Sequence, residues 1–167
     1  MYTQKTVAVV ITAYNEEEFV GEVIETLPAF VDRAYVIDDR STDGTWTEIQ
    51  QTAAAINGLR GDGDGAEDWI VPIRHDRNRG VGATIKTGYR HALEDEMDVT
   101  VVMNGDGQMD PGILHRFVDP VADGRADYAK GNRLLSREHV QNMSRWRRFG
   151  NGVLTLLTKF ASGYWKT

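Results

Sequence analysis

The sequence TVAVVIT occupies residues 6–12 and runs directly into the polar stretch AYNEE at residues 13–17. A short apolar run rich in β-branched residues is typical of a strand that is buried on both faces. The same pattern recurs at residues 34–37, 69–73 and 99–103. Because parallel strands are usually buried on both faces by helices, these runs predict a mostly parallel sheet inside an α/β fold.

Stretches with helical spacing lie between the apolar runs, at residues 17–27, 45–56 and 81–93. The third stretch carries Ile85, Tyr89 and Leu93 on one stripe, which predicts the face that packs on the sheet. Strand and helix therefore alternate along the chain. This alternation predicts βαβ crossovers with helices on both faces of the sheet.

The later part of the chain predicts three more elements. Asp110 followed by Pro111 is typical of a helix start and predicts a helix over residues 113–121. A short fifth strand is predicted at residues 127–130. A last helix is predicted over residues 144–160, with its apolar side formed by Trp146, Phe149, Val153, Leu156 and Leu157.

Composition limits the classes of protein to which the chain can belong. The length of 167 residues fits one domain, residues 1–167, and the chain has no cysteine, so no disulfide framework is possible. The lack of cysteine suits a cytoplasmic protein. The net charge of -6 argues against general nucleic-acid binding, which depends on surplus Lys and Arg. The repeat GDGDG at residues 61–65 lacks the ligands of a calcium loop and predicts a surface turn.

Polar residues directly follow three of the predicted strands, at residues 12–17, 38–45 and 104–108. In open α/β sheets, ligands bind beyond the carboxyl ends of the strands. All three polar stretches are therefore expected to meet at one edge of the sheet.

The adjacent carboxylates of Asp38 and Asp39 end a hydrophobic strand, where they would repel each other and lose hydration unless something bound them. A donor-rich ligand, such as the imide of a uracil-like base or ribose hydroxyls, would satisfy them. Alternatively, one Asp caps the helix that begins near Thr45 and the other faces water. Asp43 is the better placed of the acids for that cap.

The triplet Asn104-Gly105-Asp106 places two oxygen-bearing side chains two residues apart, on the same side of an extended chain. Hard oxygen ligands suit Mg²⁺ or Mn²⁺, which keep several waters and bridge to substrate phosphates. Asn-Gly and Asp-Gly are also common turn signals. The position after a buried strand favours the metal site.

Two basic segments are further candidates. Arg77 and Arg79 lie in the loop after the third strand, where they could hold a base or a phosphate or only meet solvent. The glycines of this loop do not complete a dinucleotide fingerprint, since Ile85 stands at the third glycine position. The Arg-rich residues 144–151 could clamp a diphosphate or form a solvated face.

Four ordered segments resemble the signatures of family-2 glycosyltransferases: AYNEE at 13–17, DDRSTDGT at 38–45, NRGVG at 78–82 and NGDGQ at 104–108. GNR at 131–133, followed by the Arg-rich segment, narrows the resemblance to the dolichyl- and polyprenyl-phosphate hexosyltransferases. The resemblance implies a GT-A fold, a Rossmann-like three-layer sandwich. It also implies a UDP- or GDP-hexose donor, Mg²⁺ or Mn²⁺, inversion at the anomeric carbon, and a lipid-phosphate acceptor at the cytoplasmic face of the membrane.

The resemblance also implies roles for individual residues. Those expected to line the nucleotide pocket are Ala13, Tyr14, Glu16, Asp38 and Asp39, together with Arg77, Asn78 and Gly80 from the loop. Those expected to form the metal–diphosphate site are Asn104, Asp106 and Gln108. Those expected to act in catalysis are Asp106, Arg133, Arg147 and Arg148, with Asn151 assisting.

Three departures from the family pattern qualify these expectations. Asn104 stands where the family more often has Asp, which should weaken metal binding, and Thr12 stands where Pro is common. Relatives also continue beyond residue 167, so we expect an incomplete acceptor site. The alternatives are a donor-binding fragment without turnover, a transferase that uses a sugar hydroxyl acceptor, and a phosphoacceptor domain built on Asp106 and Lys130.

Overall fold

The computed structural model describes Tyr2 and residues 4–60, 68–131, 150, 153, 154 and 156–159. The chain divides into two units, Met1–Ala129 and Lys130–Thr167. The prediction that residues 1–167 form a single domain stays a prediction.

The first unit alternates strands and helices as the apolar runs predict. Its elements are β1 (Val7–Ala13), α1 (Val20–Glu25), β2 (Arg33–Asp38), α2 (Thr45–Arg60), β3 (Ile70–Arg74), α3 (Val81–Glu94), β4 (Val99–Asn104), a 3₁₀ turn (Pro111–Ile113) and α4 (His115–Ala122). The four strands form one sheet in the order β3-β2-β1-β4. All three strand pairs are parallel, which confirms the predicted sheet.

The sheet lies between two helical layers. Along β1, Val9 and Ile11 pack with side chains of α1 and α2, whereas Ala8 and Val10 pack on the opposite face with Ala92 of α3. This alternation follows from the period-2 geometry of a strand. The three-layer arrangement confirms the predicted α/β sandwich.

The predicted packing face of α3 is wrong. The helix buries Thr84, Gly88 and Ala92, whereas Tyr89 is 44% exposed and Leu93 is 77% exposed. The reason is close approach, because a Cβ on Gly88 would lie 2.6 Å from Cγ2 of Val10. Small residues let this helix lie close to the sheet, and the bulkier stripe faces outward.

Two further predictions along the first unit change. The helix predicted over residues 113–121 is a 3₁₀ turn followed by α4, and the Asp110 side chain accepts a hydrogen bond from the Gly112 amide at 2.8 Å. The fifth strand predicted at residues 127–130 is wrong, because that segment is not in a strand. Tyr128 is 73% exposed, so the segment buries little apolar surface that could fix a strand in place.

In the second unit, the described residues 150, 153, 154 and 156–159 are helical. They belong to the helix predicted over residues 144–160, whose remaining positions, including Trp146 and Phe149, lie outside the described residues. Leu156 and Leu157 are exposed. Among the residues that the structure describes, no helix is long and apolar enough to span a bilayer.

Candidate active site

The carboxyl ends of the four strands carry polar residues in a row. The sheet register places Thr12 beside Asn104, Ala13 beside Asp38, and Asp38 beside Arg74. Parallel strands all end at the same edge, so residues far apart in sequence meet there. The structure therefore brings the polar ends of β1, β2 and β4 to one edge of the sheet.

Asp38 is fully buried and compensated by the protein itself. Its Oδ1 accepts a hydrogen bond from the Ser41 amide at 3.0 Å, and its Oδ2 lies 2.8 Å from Arg74 Nε. That second contact is an ion pair without the alignment of a hydrogen bond. Arg74 also donates to the Ser41 carbonyl at 3.1 Å, so it joins the end of β3 to the loop after β2.

Asp39 is also buried and holds the loop before α3. Its Oδ1 lies 2.7 Å from His75 Nδ1 and accepts from the Arg79 amide at 2.9 Å, while its Oδ2 accepts from the Gly80 amide at 2.6 Å. Gly80 has a φ of 82°, a left-handed conformation that glycine adopts without strain. Burial opposes ionisation of Asp39, but the hydrogen bonds from Arg79, His75 and Gly80 outweigh it and lower the pKa of Asp39.

These contacts change the expectation that the acidic pair needs a ligand. Protein groups use most of the acceptor capacity of Asp39, whereas Asp38 has one hydrogen bond and an ion pair. The alternative, in which one acid caps α2 and the other faces water, is wrong, since both are buried. Asp43 provides the cap instead, accepting from the Thr45 amide at 3.0 Å.

Hydrogen bonds join the loop after β1 to the loop after β2. Asn15 has a φ of 57°, its amide donates to Ser41 Oγ at 3.0 Å, and its Oδ1 accepts from the Thr42 amide at 2.9 Å. The Glu16 amide donates to Thr45 Oγ1 at 2.8 Å. Asparagine tolerates the left-handed conformation better than most residues. The two loops therefore form one shared platform at the edge of the sheet.

The predicted metal site lies at the end of β4, next to this platform. The Gly105 amide donates to the Thr12 carbonyl at 2.9 Å, and the Asp106 side chain accepts from the Gln108 amide at 3.0 Å. Asn104 Oδ1 lies 3.4 Å from Thr12 Oγ1, at the long end of hydrogen bonding. Asn104 and Asp106 are partly buried and Gln108 is exposed.

The chemistry of these residues fits a hard divalent cation. Their amide and carboxylate oxygens are the ligand types that Mg²⁺ and Mn²⁺ prefer. Burial and the charges of Asp106 and Asp43 raise the pKa of Glu16, so negative charge concentrates here. Within the described ranges, no group of three or more His, Cys, Asp or Glu side chains could hold a metal ion. A cation here would therefore need amide oxygens, water or substrate oxygens as well.

The remaining predicted residues are placed as follows. Ala13 is buried at the end of β1, and the Tyr14 side chain is 46% exposed. Arg77 and Asn78 are exposed in the loop before α3, and Asn78 Oδ1 accepts from the Gly80 amide at 3.1 Å. The predicted residues that lie outside the described part of the chain are Arg133, Arg147, Arg148 and Asn151.

Sequence reasoning missed Arg74, His75 and Thr87. Arg74 and His75 follow the apolar run of β3 just as Asp38 and Asp39 follow that of β2. The His75 imidazole bridges Asp39 and the Thr87 hydroxyl of α3, with a 2.9 Å contact from Nε2 to Oγ1. The signal that could have identified them is that two basic residues follow the third apolar run at the same position at which two acidic residues follow the second.

Comparison with known proteins identifies relatives among the glycosyltransferases. A UDP-N-acetylglucosamine–dolichyl-phosphate N-acetylglucosaminyltransferase of Methanococcus voltae is 28% identical over 165 residues, which are 98% of this chain and 66% of the relative. A dolichol-phosphate mannosyltransferase of Pyrococcus furiosus is 26% identical over 146 residues, which are 85% of this chain and 37% of the relative. The chain thus spans less than two thirds of these proteins.

Solved structures agree on the fold. A Pyrobaculum calidifontis mannosyltransferase in complex with GDP-Man and Mn²⁺ matches 71% of this chain and 33% of its own, with a TM-score of 0.56 and 21% identity. A glucosyl-3-phosphoglycerate synthase of Mycobacterium tuberculosis in complex with Mn²⁺, UDP and phosphoglyceric acid matches 71% of this chain and 39% of its own, with a TM-score of 0.52 and 20% identity. The fold is of the GT-A type. Since the model of the family described as Glycosyl transferase family 2 matches residues 8–165, the chain belongs to that family.

Proposed function

We propose that the full-length protein transfers a hexose from a UDP- or GDP-hexose to a polyprenyl or dolichyl phosphate, with inversion at the anomeric carbon. The observation that carries the proposal is the meeting, at one sheet edge, of the Asp39 loop with the oxygen ligands Asn104 and Asp106. Relatives named for dolichyl phosphate support the acceptor class. With this acceptor, the reaction is proposed to take place at the cytoplasmic face of the membrane.

The described residues divide into a nucleoside side and a diphosphate side. Asp39, held by the loop before α3, would accept a hydrogen bond from the base, with Ala13 and Tyr14 beside it. Asn104, Asp106 and Gln108 would hold Mg²⁺ or Mn²⁺. When bound, the cation supplies positive charge that stabilises the leaving diphosphate. Arg133, Arg147 and Arg148 would hold phosphate oxygens, a role that stays a prediction.

The acceptor determines whether a general base is needed. A lipid phosphate arrives already ionised, so its oxygen can attack the anomeric carbon without losing a proton to the enzyme. A sugar hydroxyl must give up its proton, and such an acceptor would require a base. A lipid phosphate therefore agrees with the residues assigned here, since none of them has the role of a base.

The test uses the full-length protein with radiolabelled UDP- and GDP-hexoses, Mn²⁺, and either polyprenyl phosphate or a sugar hydroxyl acceptor. Transfer to the lipid phosphate, abolished by EDTA, is the expected result. Transfer to the hydroxyl acceptor alone would overturn the acceptor class. Nucleotide binding without any transfer would instead favour a binding-only domain.

Paired variants test the metal site. Asp106→Asn should weaken Mn²⁺ affinity at least about tenfold, since even the outer-shell partners of a bound metal typically contribute that much. Asp110→Asn makes the same charge change four residues away, and Asn also caps helix starts well, so its turnover should match the parent. Equal losses in both variants would show that general charge, and not a metal site, is responsible.

A further inference from the structure

His75 occupies a buried bridge between the candidate nucleoside pocket and α3. Its Nδ1 lies 2.7 Å from Asp39 Oδ1, and its Nε2 lies 2.9 Å from Thr87 Oγ1. The His75 side chain is 5% exposed and that of Asp39 is 4% exposed. Both ring nitrogens are thus engaged, and the imidazole cannot turn without breaking two hydrogen bonds.

The direction of the inner hydrogen bond follows from its partner. An ionised carboxylate only accepts hydrogen bonds, so His75 Nδ1 carries the proton and donates it to Asp39. This holds for the neutral and for the charged imidazole, since both can carry hydrogen on Nδ1. His75 therefore acts on Asp39 as a fixed donor.

The acceptor capacity of Asp39 is nearly used up. A carboxylate offers about four acceptor positions, two on each oxygen. His75 and the Arg79 amide use both positions on Oδ1, and the Gly80 amide uses one on Oδ2. Counting the contacts with described residues, one acceptor position remains, and it is on Oδ2.

We propose that His75 is a positioning residue that selects the donor base, because it leaves Asp39 with a single acceptor position for that base. Uracil presents one imide N–H between two carbonyl oxygens, which matches a single acceptor. Guanine presents two adjacent donors, N1–H and N2–H, and a buried donor without a partner is disfavoured. The protein is therefore selective for uridine nucleotides. This inference rests on the proposed function, since it takes Asp39 as the base contact.

Two His75 variants separate the two sides of the imidazole. His75→Asn places an amide nitrogen near the position of Nδ1, so it keeps the donor to Asp39 and loses Thr87. His75→Gln places its amide near the position of Nε2, so it keeps Thr87 and loses the donor to Asp39. Each variant loses one hydrogen bond, so their urea unfolding midpoints should be similar.

Calorimetry of the full-length protein with UDP and with GDP, each with Mn²⁺, measures the effect. The parent and His75→Asn should both bind UDP more tightly than GDP. In His75→Gln, Asp39 loses the donor that holds it, so the hydrogen bond from the uracil imide to Asp39 weakens. Complete loss of that bond to a charged group would lower UDP affinity by at least about tenfold. GDP affinity should fall less, because Oδ1 regains an acceptor position, so the preference for UDP narrows. A merely structural role would lower both affinities together and leave their ratio unchanged.

The outcomes distinguish failure of the inference about His75 from failure of the proposed transferase function. A parent that binds neither nucleotide overturns both. A parent that prefers GDP, or a His75→Gln variant with the parental UDP-to-GDP ratio, overturns the role of His75 and leaves the transferase proposal intact. If His75→Gln does not fold, His75→Leu replaces it, since this apolar side chain also has no donor for Asp39. That variant should narrow the UDP preference, and an unchanged ratio would overturn the inference.

Discussion

Replacing Gly88 with alanine tests how closely α3 packs on the sheet. An added Cβ would lie 2.6 Å from Cγ2 of Val10 and 3.0 Å from its Cβ. Ordinary contacts between carbon atoms have separations of about 3.5–4.0 Å, so helix or sheet must shift by more than half an ångström. Neither can shift freely, because Val10 is fully buried in the central strand.

The expected magnitude is the difference between two opposing effects. Overpacking a well-packed core typically costs about 1–3 kcal/mol, and contact with several atoms of Val10 places Gly88→Ala at the upper end. Alanine is favoured over glycine inside a helix by about 1 kcal/mol. The net expectation is a loss of about 2 kcal/mol in the free energy of unfolding.

The assay measures the free energy of unfolding in urea for four proteins: the parent, Gly88→Ala, Val10→Ala and the double variant. Val10→Ala alone should cost about 2 kcal/mol through lost burial and a small cavity. In that background Gly88→Ala should be neutral or stabilising, because the added methyl fills the space. Gly82→Ala is the matched control in the same helix, where a Cβ meets nothing within 4 Å. An equal cost of Gly88→Ala in both Val10 backgrounds would refute the close approach.

Three further predictions concern charged groups. Hydrogen bonds from Lys5 and Thr6 lower the pKa of Asp98 from 3.8 to about 2. This carboxylate therefore stabilises the fold above pH 3.8 and loses that effect as the pH falls through about 2. Asp98→Asn should flatten the acid side of a plot of the free energy of unfolding against pH. Asp43→Ala should remove the α2 cap and cost about 1 kcal/mol, seen as a fall in Tm of about 2–4 °C, whereas an unchanged Tm would contradict the cap. Arg74→Ala should lower the free energy of unfolding, measured in urea, by about 3 kcal/mol, because it leaves the fully buried Asp38 without its cation. Arg74→Lys should lower it less. Equal losses in the two variants would contradict a stabilising role for the charge of residue 74.

The strands and their order of alternation could be predicted because each apolar run carries its own signal. Residues 6–12 show a continuous apolar pattern, and β1 spans Val7–Ala13. The convergence of three polar stretches also followed, since parallel strands all end at one edge. The rule needs only the direction of the strands and no knowledge of which strand lies beside which.

Predictions failed where the answer depended on a neighbour in space. The stripe of Tyr89 and Leu93 is the more apolar face of α3, but Val10 on the sheet admits only a helix with Gly88 at the contact. Likewise, the sequence gives no register between β2 and β3, so the partners of the acidic pair could not be assigned. Asp38 and Asp39 therefore looked uncompensated, although Arg74 forms an ion pair with Asp38 and His75 contacts Asp39.

The pairing of Asp38 and Asp39 at the end of β2 with Arg74 and His75 at the end of β3 has a consequence for misfolding. If β3 slipped by one residue, its side chains would exchange faces, and Arg74 would no longer meet the buried Asp38. The free-energy penalty of burying the unpaired Asp38 carboxylate would then oppose the slipped register. The apolar side chains of β3 alone would oppose it less, since they can pack beside apolar residues of β2 in either register. The ion pair between Arg74 and Asp38 thus favours one register of β2 and β3, and it does so before any ligand binds.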